Sequence, residues 1–435
     1  MGFNYRTTYY TLIVLAIVHL IFLFVKISLG DFFLQDSHEY YQLAENIKNH
    51  FTFYSADLNA QINFEEYTKR PPFYGIFVLV FSFFLKSKTA VIIVQNILSF
   101  LGIVLTLKIF KHYFKQVNVK LFVTLIIISL SQFIYANYLM SEILLQFLII
   151  LLCYTFHKTI QTKKLKYVLY SQIIIVLLFL TKPVFYLFII PNVLICLWLT
   201  KKIVKKAYLF SLIPIAAFFM YISWNAQRTG SYEFSSIQNL SLKNYNLKYF
   251  HIKKYGEDFA QKVNNEISSK ANNTTNYKER QKTIKTTCVD YIKKDLFSYA
   301  WHHVRGSAMM FLDPGRFDLY NFFNYKNKEE EGFLAHLNKS GIAGAFQYFK
   351  EQPFLILILL PFILLFNIIK AVGFILFWLK QENRKLPISL FTLCIIIYIA
   401  ALTGPSGASR FLVPILPIYC MFAAQGFNKR LNVLK

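Results

Sequence analysis

Apolar residues occur in long runs separated by short polar connections, and these runs set the architecture before any single residue is considered. Residues 9–29, 89–110, 121–138, 207–224 and 353–379 each approach the length a helix needs to cross a hydrocarbon core. Eight apolar segments precede residue 225, and three more, 353–379, 387–402 and 411–424, follow residue 350. Between them the pattern changes. Residues 225–350 are polar, with an Asn- and Thr-rich middle at Ala271-Asn-Asn-Thr-Thr-Asn276, yet Tyr291, Phe297, Trp301 and Val304 recur within 290–310 at helical spacing. The pattern predicts an N-terminal membrane block (1–224), a mostly helical extracytoplasmic loop (225–350) of short helices packed over the membrane face, and C-terminal transmembrane helices (351–435). The expected fold is an all-α multi-pass membrane protein with about 10–12 transmembrane segments.

Composition supports this reading. Hydrophobic residues make up 56% of the chain, charged residues only 16%, and mean hydropathy is +0.42, which excludes an ordinary soluble domain. No small-residue cleavage pattern follows the first apolar run, so it is expected to be a retained helix rather than a removed signal peptide. The five cysteines show no paired spacing and His302-His303 has no suitably spaced third ligand, so neither a disulfide framework nor a metal site is indicated.

The net charge of +25 would suit nucleic acid, but its distribution points elsewhere. Of 22 acidic residues, seven lie between Asp31 and Glu66 and twelve between residues 225 and 350. Basic residues instead mark the short connections, at Lys108, Lys111, Lys115 and Lys120, at Lys158 to Lys166, at Lys201 to Lys206, at Lys380 to Lys385, and in the tail from Lys429. By the positive-inside rule the short loops are cytoplasmic and both acidic loops face outward. With the N-terminus inside and the large loop outside, the crossings before residue 225 must be odd. Eight segments then predict one half-helix or re-entrant element, with 71–85 and 173–180 the weakest spans.

Four ionisable residues break this clean partition, and intramembrane charge is costly enough to mark function. Glu142, Lys182, Arg228 and Arg410 all fall at helix ends on the same side as the first acidic loop. That loop carries Asp36-Ser-His-Glu-Tyr-Tyr-Gln-Leu-Ala-Glu45 and closes with Lys69-Arg-Pro-Pro-Phe-Tyr74. Asp36 and Glu39 are three apart and share a helix face, so one carboxylate can act as a general base with the other beside it. The surrounding aromatic residues suit a sugar ring or a lipid entrance.

These motifs, in order, resemble the GT-C glycosyltransferases: Asp36-Ser-x-x-Tyr40-x-x-Leu-Ala44-x-x-Ile47, Arg70-Pro-Pro-x-Tyr74, Ser141-Glu142, Lys182-Pro183 and Ser409-Arg410-Phe-Leu-Val-Pro414-Ile-Leu-Pro417. The likeness is greatest to the protein-O-mannosyltransferase branch and the bacterial lipid A aminoarabinose transferase. It implies a GT-C-like bundle in the plasma (inner) membrane with its active face extracytoplasmic and its first catalytic outer loop at residues 30–70. It implies transfer of a sugar from a polyprenyl-phosphate donor to a glycan, lipid or protein acceptor by inverting displacement. Asp36 would be the base, with Glu39 and Glu142 as further catalytic candidates. Arg70, Lys182, Arg228 and Arg410 would hold the donor phosphate, and Tyr40 and Tyr74 would contact substrate. No cofactor is expected, a divalent metal stays open, and membrane lipids rather than nucleic acid are the expected surroundings.

The chain departs from the branch pattern in two places. The acid after Asp36 is Glu39 rather than an adjacent residue, and Lys182 stands where the branch has arginine. The absence of a sizeable soluble domain gives protein-O-mannosylation itself no support. Two alternatives remain at this stage, a polysaccharide polymerase or ligase and a non-enzymatic transporter or flippase. Ionisable residues at helix ends rather than at mid-membrane, without internal repeats, favour the first reading over the transporter.

Overall fold

The computed structural model describes residues 5–83, 87–114, 116–274, 276–325, 343, 350 and 352–428. The end of the large loop, at 326–342 and 344–349, and the basic tail from Lys429 lie outside the described residues. Among them the chain is helical throughout, with no strand, as the apolar pattern predicts. Among the described residues seven helices are long and apolar enough to cross a membrane: Thr8–Leu29, Lys88–Lys111, Glu142–Thr162, Pro183–Lys202, Ala207–Thr229, Phe354–Leu379 and Pro387–Ser406. Three shorter apolar helices, Pro72–Phe83, Val119–Ile128 and Leu165–Thr181, pack among them. The helix expected to stop at Trp224 continues to Thr229.

The short helices have local causes. Pro72–Val78 begins with proline at its first position, where the missing N–H costs nothing, and ends in a π-turn at Leu79–Phe83. The run 121–138, expected to be one helix, is two. Val119–Ile128 is capped by the Asn118 side chain, which accepts from Leu121 N at 3.1 Å, and it stops at Ser129 before Ser131–Ala136 resumes. The Ser129 hydroxyl donates back to Leu125 O at 2.8 Å, and the buried Lys370 ammonium donates to Ser129 Oγ at 2.6 Å. The hydroxyl and the Lys370 amino group thus give the end of this half-helix polar partners inside the bundle, where water cannot.

The segment expected to cross at 411–424 also differs. Two 3-10 turns, Ser409–Phe411 and Val413–Ile415, precede the helix Leu416–Gly426, whose eleven residues are all buried. It packs against Phe354–Leu379 so closely that a Cβ at Gly426 would collide with Gly373 O, and one at Gly373 with Ala423 O. Small residues permit such backbone approach, which carries helix association where lipid removes the hydrophobic drive. The last described helix is thus an internal pillar rather than a lipid-facing crossing.

Over the bundle, the polar loop folds on a small core of its own. Leu247, Phe250, Val263, Ile267, Ala271, Ile284 and Cys288 pack together from the helices Lys248–Tyr255, Glu257–Asn272 and Tyr277–Lys294 and the turn before them. The helical stretch expected over 290–310 is two helices, Tyr277–Lys294 and Leu296–Met309, which meet at Asp295. This layer is tied to the first acidic loop. The Ser236 hydroxyl donates to Glu65 O at 2.8 Å, Gln281 Nε2 to Glu65 Oε1 at 3.0 Å, and the Thr68 hydroxyl to Glu233 Oε1 at 2.8 Å. Both acid-rich loops therefore lie together at one end of the bundle.

Candidate active site

The first loop places its acids by simple helix geometry. Helix Tyr5–Leu29 ends at Gly30 in the left-handed region (φ 72°), and a short extended segment leads to the helix Gln35–His50. Ser37 accepts from Leu34 N at 2.9 Å and fixes the helix start, so Asp36 lies in a first turn where a carboxylate is favoured. Asp36 and Glu39, one turn apart, both face Arg70, the residue just before Pro71-Pro72. Arg70 Nη2 donates to Asp36 Oδ1 at 2.8 Å and Nε to Glu39 Oε2 at 2.6 Å. Lys69 bridges Glu39 and Glu66 at 2.9 and 2.8 Å.

Distant segments complete the cluster. Glu142 opens the helix Glu142–Thr162 and is fully buried; Lys182 occupies the extended corner before Pro183; Arg410 lies in the turn Ser409–Phe411. Arg410 Nη2 donates to Asp36 Oδ2 at 2.6 Å and Nε to Glu142 Oε1 at 2.6 Å, while Lys182 Nζ reaches the same Glu142 oxygen at 2.6 Å. Asp36 thus has a guanidinium on each oxygen, and Glu142 joins two cations. Burial opposes the charge on Asp36, but Arg410 and Arg70 outweigh it and hold its carboxyl well below the usual carboxylate range. The side chains of Asp36 and Arg410 stay 22% and 24% exposed, so the centre of the network is not sealed.

Not every candidate joins this cluster. Arg228 is spent elsewhere: it donates to Phe53 O at 3.0 Å and to Asn225 Oδ1, and stacks 3.5 Å from the Trp224 ring centroid. Tyr40 and Tyr74 are fully buried beneath the cluster. The Tyr40 ring lies 5.0 Å from the Arg70 guanidinium carbon and 4.7 Å edge-on from Tyr74, whose hydroxyl donates to Gln95 Oε1 at 2.6 Å. The Tyr40 hydroxyl is 3.3 Å from Ser141 Oγ, next to Glu142, so the two tyrosines brace the acids and Arg70 from below.

Two acids unremarked in the sequence stand behind Arg410. Ser409 N donates to Asp313 Oδ2 at 2.6 Å, and the Ser409 hydroxyl donates to Asp318. Asp318, buried, also accepts from Tyr135 at 2.6 Å and Ser131 at 3.2 Å, and burial pushes its carboxyl up to about 6. Gly315 sits among these groups at φ 75°, where a Cβ would lie 3.1 to 3.2 Å from Ser131 Oγ, Ser409 Oγ and Asp318 Oδ2. The sequence signal for this latch is Asp313-Pro-Gly315-x-x-Asp318, two acids on a turn that reads as solvated loop. Among the described residues no three His, Cys, Asp or Glu side chains gather closely enough to hold a metal ion.

Comparison with known proteins follows the same segments. Residues 69–224, about a third of the chain and the source of Arg70, Glu142 and Lys182, match the family model described as dolichyl-phosphate-mannose-protein mannosyltransferase. Asp36 and Arg410 lie outside the matched segment. Among solved structures the chain is similar to the archaeal oligosaccharyltransferase AglB from Archaeoglobus fulgidus, solved in complex with an inhibitory peptide and a dolichol-phosphate. The identity is 14% and the TM-score 0.45; the match covers 97% of this chain and 50% of that one, so this chain spans about half the length of its relative. No curated protein matches. Over residues 69–224 the chain is therefore similar to the dolichyl-phosphate-mannose-protein mannosyltransferase family of GT-C glycosyltransferases.

Proposed function

We propose that this protein is a membrane glycosyltransferase that moves a sugar from a polyprenyl-phosphate carrier to an acceptor hydroxyl. The acceptor would be a glycan, a lipid or a protein, the site would face the extracytoplasmic side of the plasma membrane, and Asp36 would be the base of an inverting displacement. One observation carries this reading: a partly exposed carboxylate held between two arginines from opposite ends of the chain, with a third cation alongside. A phosphate-linked sugar calls for both kinds of group. Its leaving group is already a phosphate, so departure needs cations rather than a general acid, and the incoming hydroxyl needs a base.

The same geometry suggests how the two roles are timed. In the free protein both oxygens of Asp36 are occupied, which makes it a weak base. A donor phosphate entering between Arg70, Lys182 and Arg410 offers the two guanidinium groups stronger, bidentate partners and draws them from the Asp36 carboxylate, while Lys182 adds a point charge. Asp36 then accepts the proton of the acceptor hydroxyl as that oxygen attacks the anomeric carbon. The bond from that carbon to the phosphate oxygen breaks on the opposite side, and its electron pair leaves with the phosphate. Glu142 keeps Lys182 and Arg410 together during the exchange, and Glu39 keeps Arg70 in place. Arg228, tied to the turn at Phe53, acts on the shape of the first loop rather than on the phosphate.

The test is a strain carrying Asp36→Asn at normal expression. Loss of one sugar from a membrane glycan or lipid, with accumulation of its polyprenyl-phosphate donor, is the expected result. Unchanged glycans and donor pools would overturn the reading.

A further inference from the structure

The helix Leu296–Met309 has two unlike faces. One is docked: Gly306 sits so close to the Gly404–Pro405 backbone that a Cβ would lie 2.6 Å from Pro405 Cα, and His303 Nε2 is 2.6 Å from Ala401 O. The other face is apolar and bare. Phe297, Trp301 and Val304, at three- and four-residue spacing, are 90%, 70% and 58% exposed. A soluble surface does not leave such a stripe uncovered.

Two observations say what covers it. The docked face rests on the outer end of the span Pro387–Ser406, whose Leu390, Ile397 and Leu402 are exposed as lipid-facing residues must be, so the bare stripe continues a membrane-facing surface. Beside the stripe lie Lys253, His302 and Arg305, with exposed Lys293 and Lys294 one turn away; burial, and after it the neighbouring cations, lowers the proton affinity of Lys253 and His302. No described carboxylate pairs with Lys253 or Arg305, and buried His302 Nε2 has no hydrogen-bond partner. Aromatic and aliphatic residues flanked by unneutralised cations are the pattern of a helix lying in the headgroup region.

We propose that Leu296–Met309 is an in-plane interfacial helix seated on the membrane leaflet at the Asp36 side, with its apolar stripe among the acyl chains and Lys253 and Arg305 on anionic phospholipid headgroups. This holds whatever reaction the site performs. The helix leads through Met310 to Asp313, which holds the backbone of Ser409, so leaflet and Arg410 turn are joined by one short stretch of chain.

The test keeps Trp301 as sole tryptophan by replacing Trp198, Trp224 and Trp378 with phenylalanine, in the full chain reconstituted in phosphatidylglycerol bilayers. Lipids brominated near the headgroup end of the acyl chain should quench Trp301 emission at least about twofold, as an interfacial aromatic residue requires, while aqueous iodide quenches little. A parallel measurement on the unaltered protein follows hydrogen exchange over 296–309, which should slow in phosphatidylglycerol relative to phosphatidylcholine bilayers. Arg305→Glu with Lys253→Glu should abolish that difference. Quenching by iodide alone overturns the proposal, as does protection from both quenchers, which would place a second copy or a partner protein on the stripe. Exchange indifferent to lipid charge overturns the headgroup assignment.

Discussion

Arg410 Nη2 lies 2.6 Å from Asp36 Oδ2, a contact that spans nearly the whole sequence and joins the start of the helix Gln35–His50 to the turn before the last described helix. Its strength sets the resting state of the site, because the same guanidinium also holds Glu142.

Removal of this arginine should therefore act on the donor before the acceptor. Arg410→Ala is expected to lower kcat/KM by about 10²–10³, the scale for losing one preorganised charge-stabilising donor. The KM for the donor should rise far more than that for the acceptor. Arg410→Lys should recover only part of the loss, since an ammonium cannot bridge Asp36 and Glu142 with a planar fork. Transfer assays with each substrate varied in turn check this.

Glu142→Gln leaves Lys182 and Arg410 facing each other with no shared anion. Breaking a buried pair by deleting one partner costs about 3–5 kcal/mol, so a clear fall in melting temperature is expected in detergent. Lys182→Met added to Glu142→Gln should restore part of it, because the repulsion is then gone. A double-mutant cycle on the two positions measures the coupling.

Asp318 predicts an opposite trend with pH from that of an ordinary paired acid. Its folded value of about 6 lies above that of an unfolded aspartate near ~3.9, so the folded state binds the proton more tightly. Stability from this group is full below pH of about 4 and falls as pH rises through about 6. The difference in melting temperature between the native protein and Asp318→Asn should change across that window and be level above it. Because Asp318 fixes Ser409, the variant should also raise the donor KM more than it lowers kcat.

Gly426→Ala should fail for a reason unrelated to chemistry. A methyl group there meets the Gly373 carbonyl of the neighbouring helix, backbone against backbone, with no flexible side chain to yield. The loss should exceed the roughly 1–3 kcal/mol of a crowded core. Gly102→Ala, whose added methyl meets the Ile150 side chain at 3.1 Å, should cost less. Thermal melts of the two variants in one detergent separate the cases.

What was legible in the sequence was what charge and length dictate. The acids are so confined that Asp36, Glu142, Lys182 and Arg410 could be placed on one side of the membrane before any distance was known, and the structure brings these four together. Arg228 shared the side but not the cluster, because sidedness says nothing about distance within a face and Asn225 and Trp224 hold it locally. The break at Ser129 was hidden by an unbroken apolar run, since its compensating group, Lys370, is a lysine from a helix far along the chain. Asp313 and Asp318 lay in a polar stretch where acids need no explanation, and only their bonds to Ser409, with the burial of Asp318, set them apart.

The buried helix Leu416–Gly426 has a consequence for biosynthesis. It follows every other described helix in the chain, yet it fills the middle of the bundle. The earlier helices must therefore leave their insertion apparatus as an unfilled assembly and stay parted until this one arrives. Arg410 enters on the same stretch, so Asp36 meets its second arginine only at that moment. A chain cut short before this point would hold most of its described membrane helices but no closed cluster, so the arrival of this helix and the closing of the Asp36 cluster coincide in a single packing event.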